Sequence, residues 1–199
     1  KKDRAVFSEK PLGGLPTDLK HLLEGKDSLK LVVNYEFLQI DLFRRVGNMI
    51  SEGVLGELRE VSVLWTVQTH PNRTETTSWK RMEEMGGGAL NMFVSHVYHY
   101  LSSWMGKPNS LSTIFFGEHK AAEHTVTSTI QWSNTRANIT VCTNATNHLG
   151  QRIEILGKSG RVVLRNATTD PISGFECEIY QNEAIDKLPS RWAFDPNKD

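Results

Sequence analysis

Two histidines three positions apart, His96 and His99, are the residues whose type and spacing most readily suggest chemistry. They follow three glycines in the stretch "GGGALNMFVSHVYHY", which otherwise has the apolar character of a buried helix. At about 100° per residue the two imidazoles lie about 60° apart on one polar face, which Asn91 shares. Imidazole takes up and releases protons near neutral pH. No third ligand has a suitable spacing, so the pair does not predict a zinc site.

Two further groups of side chains are suited to binding a polyhydroxyl compound. Trp79 and Lys80 lie in a long polar segment just before the glycines, and an aromatic face and an amine donor both suit a polyol. Tyr35 follows the stretch "LKLVVN", which is rich in β-branched residues and predicts a strand. Ligands of α/β proteins bind at the carboxyl ends of strands, so Tyr35 is a candidate substrate contact.

The glycine-led helix is predicted over 88–105. Its helical periodicity predicts a buried stripe on one side and places Met92 and His96 toward one edge of the polar side. The predicted stripe consists of Leu90, Phe93, Val94, Val97, Leu101, Trp104 and Met105. The three glycines let the chain turn tightly and let the backbone approach a ligand closely. We expect the free N–H groups at the helix N-terminus to face a cleft.

The surrounding pattern divides the chain into two parts. A strand at 4–8, a helix beginning at Thr17 or Asp18 and ending at Gly25, and the strand before Tyr35 form a parallel βαβ unit. A helix over 38–52 and an alternating strand over 57–70 follow. Short connections then separate candidate strands at 111–117, 124–132, 136–143, 151–156, 160–165 and 175–181. Strands this close in sequence pair antiparallel.

The composition is that of a globular protein and excludes several classes of partner. Hydrophobic residues make up 38% of the chain, and 23 basic residues balance 23 acidic ones. Zero net charge favours neither nucleic acid nor an anionic membrane as a partner. The sequence has no apolar run long enough to span a bilayer, and the charged start does not look like a secretory signal. Cys142 and Cys177 are interpreted as reduced thiols of a cytoplasmic protein.

Three motifs in this order resemble one enzyme family. "EKP" (residues 9–11) ends the first strand, "GVLGELREV" follows the second helix, and "GGGAL…SH" opens the third. Over roughly residues 4–165 the chain resembles the glucose–fructose oxidoreductase, inositol dehydrogenase and MocA family of NAD(P)-dependent oxidoreductases. The resemblance implies an α/β (α+β) fold in which residues 1–37 are the remnant of a Rossmann domain. Residues 38–199 would then form an α/β domain with a large, mostly antiparallel open sheet.

The resemblance also implies residue roles. Glu9, Lys10 and Pro11 correspond to the motif beside the nicotinamide, and Lys10 and His96 to the catalytic pair. Tyr35, Trp79, Lys80, Asn91 and His99 are then the candidate substrate contacts. Relatives carry an aspartate four residues before the histidine, where this chain has Met92, which can neither accept a proton nor orient an imidazole. His99 or Asn91 is the expected substitute. Many relatives also have an arginine just after Tyr35, where this chain has Phe37 and Leu38.

The predicted function is that of an NAD- or NADP-dependent dehydrogenase for a sugar, polyol or related hydroxyl compound. No glycine-rich phosphate turn follows a strand in this sequence, so the piece alone is expected to be inactive. The alternatives are an NAD-dependent glycosidase and a non-catalytic binding or dimerisation protein. A homodimer is expected to cover the open sheet, whose free face is predicted to carry Ile130, Trp132, Ile139 and Val141.

Overall fold

The computed structural model describes residues 5–14, 17, 19–20, 24, 30–118, 121–146, 150–181 and 184–189. Most of the helix predicted to begin at Thr17 or Asp18 lies outside these residues. The described strands and α-helices are, in chain order, β1 (Ala5–Glu9), β2 (Lys30–Asn34), α1 (Asp41–Ser51), β3 (Leu58–Thr66), α2 (His70–Thr74), α3 (Ser95–Met105), β4 (Ser110–Phe116), β5 (Thr125–Gln131), β6 (Arg136–Cys142), β7 (Gly150–Gly157), β8 (Arg161–Asn166), β9 (Glu176–Gln181) and β10 (Ala184–Pro189).

The first two strands form a small parallel sheet, as the sequence predicts. Ala5 is opposite Lys30 and Glu9 is opposite Asn34, so both strands end at the same edge. The Asn34 amide donates a hydrogen bond of 2.9 Å to the Glu9 carboxylate across this edge. The carboxyl ends of β1 and β2 therefore lie side by side, with the segments that follow them brought together.

The remaining strands form one eight-stranded sheet in the order β10-β9-β8-β7-β3-β6-β5-β4. Neighbouring strands pair antiparallel except β3 and β6, which are parallel. The predicted mixed α/β fold with a large, mostly antiparallel sheet is confirmed. β10 was not predicted. The division between residues 37 and 38 stays a prediction.

Two helices cover one face of the large sheet and form the core with it. α1 and α3 pack against each other, and Phe43 of α1 makes ring contacts with Tyr100 and Trp104 of α3. Phe37 and Phe175 extend this aromatic cluster. Packed aromatic rings bury large apolar areas, so these contacts hold the helices firmly on the sheet.

The residues predicted to lie on the free face of the sheet are in fact part of the core. Ile130, Trp132, Ile139 and Val141 are all buried, so this prediction is wrong. Alternation along β5 and β6 places one set of side chains under the helices and the other set outside. The alternation identifies an apolar set of side chains, but it does not show that two helices of the same chain cover that set. The outer set carries mainly threonine, asparagine and charged side chains, with the exposed Leu64 near the middle of the sheet.

The two cysteines are free thiols on strands far apart in the sheet. Cys142 ends β6 and Cys177 lies in β9, four strand spacings away or roughly 19 Å. That separation excludes a disulfide within one chain. Burial raises the pKa of the Cys177 thiol to about 11, which keeps it protonated and unreactive.

Candidate active site

The Lys10 side chain reaches from the end of β1 to the π turn over Leu90–Val94, which leads into α3. Lys10 precedes a cis peptide bond to Pro11, and its ammonium donates a hydrogen bond to the backbone carbonyl of Met92. Burial lowers the pKa of Lys10 to about 8, although the nearby carboxylates of Glu36 and Glu9 partly oppose the shift. The charge of Lys80 lowers the pKa further. An amine in this range exchanges protons readily near neutral pH.

His96 lies deeper than helical periodicity predicted. Its side chain is 4% exposed, and the rings of Tyr35 and Phe37 pack edge-on against it at 5.5 and 5.1 Å between centroids. Burial lowers the pKa of His96 to about 3, and positive charge on Lys10 and His99 adds to the shift. The imidazole is therefore neutral at pH 7.

The unexpected burial of His96 has a physical cause in the segment after β2. A 3₁₀ helix over Glu36–Gln39 crosses the polar edge of α3 and covers the histidine. In addition, the helix begins with a π turn over Leu90–Val94, so an unbroken 100° wheel does not describe the whole segment. His96 is therefore buried, although helical periodicity places it near the polar edge of the helix.

His99 and Tyr35 meet, as their predicted roles require. The two rings stack 4.3 Å apart with an angle of 13° between their planes. Burial also lowers the pKa of His99, which favours the neutral ring in this stack. Tyr35 thus contacts both histidines, and together with Lys10 they form one cluster at the carboxyl ends of β1 and β2.

Glu36 belongs to this cluster, and the sequence reasoning missed it. Its carboxylate Oε2 lies 3.9 Å from Nδ1 of His96, and its charge raises the pKa of Lys10. At that distance the carboxylate does not overcome burial, so His96 stays neutral. Its position directly after Tyr35, at a strand end of a parallel pair, was the signal that could have identified it.

The three glycines approach other parts of the same chain. A Cβ on Gly86 would lie 2.1 Å from the carbonyl oxygen of Gly14, and one on Gly88 would lie 2.3 Å from the Glu123 carboxylate. The Asn91 amide donates to the carbonyls of Gly86 at 2.9 Å and Gly14 at 3.4 Å. Asn91 thus uses its amide N–H groups to tie two backbone segments together.

The backbone N–H groups at the start of the glycine-led helix also have partners within the chain. Glu123 accepts a hydrogen bond of 2.8 Å from the backbone N–H of Leu90, and its own carbonyl accepts from Ala89. A carboxylate at this position stabilises a helix N-terminus. The expectation that these N–H groups are free is therefore wrong, because Ala89 and Leu90 both donate within the chain.

A cleft of about 430 Å³ lies beside the start of the glycine-led helix, where Gly88 and Glu123 line it. Lys80 and Met92 line it, together with Asn72, Arg81 and His124. Trp79 is 40% exposed on the short 3₁₀ helix that also carries Lys80. Because Met92 lines the cleft and its carbonyl binds Lys10, the cleft adjoins the lysine end of the cluster. This volume suits part of a small-molecule ligand.

The arrangement provides a proton-exchanging amine beside a neutral imidazole, at a strand edge that adjoins a cleft. No three histidine, cysteine, aspartate or glutamate side chains come together as a metal site in the described part of the chain. Within the same residues, no helix is long and apolar enough to cross a membrane. The site thus has the side chains expected for proton transfer to or from a polar small molecule.

Comparison with known proteins places this chain in a family of oxidoreductases. Residues 48–187 match the family described as "Oxidoreductase family, C-terminal alpha/beta domain". The chain belongs to this family, and the resemblance to glucose–fructose oxidoreductase, inositol dehydrogenase and MocA is confirmed.

Two similar proteins are named as an oxidoreductase and a reductase, which agrees with this family membership. An uncharacterized oxidoreductase of Synechocystis is 30% identical over 95 residues, which cover 48% of this chain and 25% of that protein. The dTDP-3,4-didehydro-2,6-dideoxy-alpha-D-glucose 3-reductase of Saccharopolyspora spinosa is 27% identical over 174 residues, or 85% of this chain and 51% of that one. The chain thus spans between a quarter and about half of these relatives.

A solved structure shares the same fold. The WlbA dehydrogenase of Bordetella pertussis, crystallised with NADH and UDP-GlcNAcA, superposes with a TM-score of 0.75 at 21% identity. The match covers 91% of this chain and 57% of the dehydrogenase. At this identity the similarity supports the fold, and the chemistry must be argued from this chain's own residues.

The described residues fit one end of a nicotinamide cofactor. The carboxyl ends of the parallel strands β1 and β2 carry Glu9, Lys10 and Tyr35, where α/β proteins bind such ligands. The glycine-rich turn that cradles a pyrophosphate does not occur in this sequence. These residues therefore suit contact with the nicotinamide and the substrate rather than with the phosphates.

Proposed function

We propose that the protein is an NAD(P)-dependent oxidoreductase that interconverts a hydroxyl and a keto group on a sugar or related polyol. The observation that carries the proposal is the half-buried Lys10 amine, whose pKa is lowered to about 8 beside the neutral His96. A nicotinamide cofactor, when bound, takes or supplies the hydride. Family membership and the sugar substrates named for two relatives support the same reaction class.

Lys10 exchanges the proton in this scheme. In oxidation its neutral amine accepts the hydroxyl proton as the hydride leaves, and in reduction its ammonium returns that proton to the forming alcohol. The neutral imidazole of His96 accepts, through Nε2, a hydrogen bond from a neighbouring hydroxyl group of the substrate. Tyr35, His99 and Lys80 are the proposed substrate contacts, with Trp79 at the exposed margin.

A non-catalytic binding protein is the second candidate, because Met92 stands where relatives carry an aspartate. Titration of the full-length protein with NADH and with NADPH, followed by fluorescence, separates the two. We expect one cofactor to bind with a micromolar dissociation constant and to be turned over with a keto sugar. Binding of neither cofactor would contradict the oxidoreductase proposal.

We also propose that the protein forms a homodimer through the outer face of the eight-stranded sheet. Ile114 of β4 is 58% exposed, and its partner Thr127 lies on that outer face. Leu111, on the same strand, is 52% exposed but pairs with the core residue Ile130, so it lies on the helix side. The two residues form a matched pair on opposite faces of one strand.

Sedimentation of two variants tests the dimer. Ile114→Arg is expected to convert the dimer into a monomer at micromolar protein, because it buries a charge in the interface. Leu111→Arg, the control, should sediment like the unmodified protein. A monomeric unmodified protein, or equal effects of both substitutions, would contradict dimerisation through this face.

A further inference from the structure

The Nδ1 atom of His96 is a buried polar atom whose hydrogen bond is not made. It has no partner among the described residues, although the ring is almost completely enclosed. Buried polar groups nearly always have a partner, and exceptions concentrate where a group is used. The nearest carboxylate oxygen, Oε2 of Glu36, is 3.9 Å away. That separation exceeds hydrogen-bonding distance by less than one ångström.

The other polar groups near His96 make contacts elsewhere or are cations. Asn91 donates to the backbone of Gly86 and Gly14, and His99 stacks on Tyr35. Lys10 is a cation that donates to Met92. Glu9 accepts from Asn34, and Lys80 is a cation whose charge lowers the pKa of Lys10. Glu36 is the one anion among these groups with an oxygen facing the imidazole.

Glu36 also has the freedom to close the gap. Its side chain is 30% exposed, whereas His96 is fixed between two aromatic rings. Hydrogen bonds between catalytic groups are often long without substrate and tighten when it binds. A rotation of the glutamate side chain is enough to bring its carboxylate to Nδ1.

We propose that Glu36 is the positioning residue for His96 and replaces, from a different element, the carboxylate absent at Met92. Its carboxylate accepts a hydrogen bond from Nδ1–H, which holds the proton on that nitrogen and leaves the Nε2 lone pair free. A carboxylate bonded to one ring nitrogen determines the tautomer in this way. The effect on turnover rests on the proposed oxidoreductase function, whereas the effect on the tautomer does not.

The tautomer is measured by NMR on full-length protein with ¹⁵N-labelled histidine. In the unmodified protein, measured without ligand and again with NADH, His96 should be mainly Nδ1–H. In Glu36→Leu the Nδ1–H population should fall at least twofold, and Glu36→Gln, whose amide oxygen still accepts a hydrogen bond, should restore part of it. Glu52→Leu, at an exposed carboxylate after α1, is the control. Unchanged His70 and His124 signals would show that the fold is intact.

An unchanged His96 tautomer in Glu36→Leu would overturn the proposal. In the activity assay we expect kcat to fall about tenfold or more in Glu36→Leu, with KM changed little and Glu52→Leu unaffected. If the unmodified protein has no cofactor-dependent activity but the tautomer still changes, the oxidoreductase proposal fails and the role of Glu36 stands. If it is active and the tautomer does not change, only the role of Glu36 fails.

Discussion

Lys10→Met is expected to lower kcat by about 10²–10⁴-fold, the usual contribution of a positioned acid–base group. Methionine preserves the length of the buried side chain but exchanges no proton. Lys10→Arg should be similarly inactive, because a guanidinium keeps the positive charge but does not release its proton at accessible pH. Lys107→Met, at an exposed lysine after α3, is the matched control and should retain full activity.

The pH dependence of the unmodified protein checks the same assignment. Because the pKa of Lys10 is lowered to about 8, kcat/KM for alcohol oxidation should rise as the pH passes through 8 and the amine becomes neutral. For ketone reduction it should fall over the same range, because the ammonium is then the required acid. A Lys10→Arg variant with near-normal turnover would show that the residue contributes only charge.

Gly86→Ala is expected to destabilise the protein more than Gly53→Ala, at a glycine that also has a positive φ. Gly86 has φ of +73°, and its Cβ would lie 2.1 to 2.5 Å from three backbone atoms of Gly14. The positive φ costs about 1–2 kcal/mol for an L-residue. Forcing the two backbone segments apart adds roughly 1–3 kcal/mol.

Another glycine separates these contributions. Gly53 has φ of +69°, and a Cβ on it would meet no atom within 4 Å among the described residues. Its alanine variant should therefore show only the backbone cost. The measurement is the free energy of unfolding of each variant in urea. Equal losses at Gly86 and Gly53 would contradict the close approach of Gly86 to Gly14.

Much of the architecture could be predicted from local patterns. The β-branched stretch ending at Asn34 predicted β2, and alternation in 57–70 predicted β3, in which alternate residues Val61, Val63 and Trp65 are buried. Short turns predicted the bounds of strands β4 to β9 to within a few residues. These features depend on neighbouring side chains and turn residues, which act over a few positions. The parallel pairing of β3 with β6 joins residues more than seventy positions apart and left no such local signal.

The candidate site shows the same division. The sequence by itself determined which residues could do chemistry, because the motif around Lys10 and the spacing of His96 and His99 are local. Only the tertiary structure decided how they work: it buried His96 under the segment after β2, brought Glu36 to its ring and used the glycines to join backbone segments. These outcomes depend on contacts between distant elements, whose desolvation and close packing no single stretch of sequence contains.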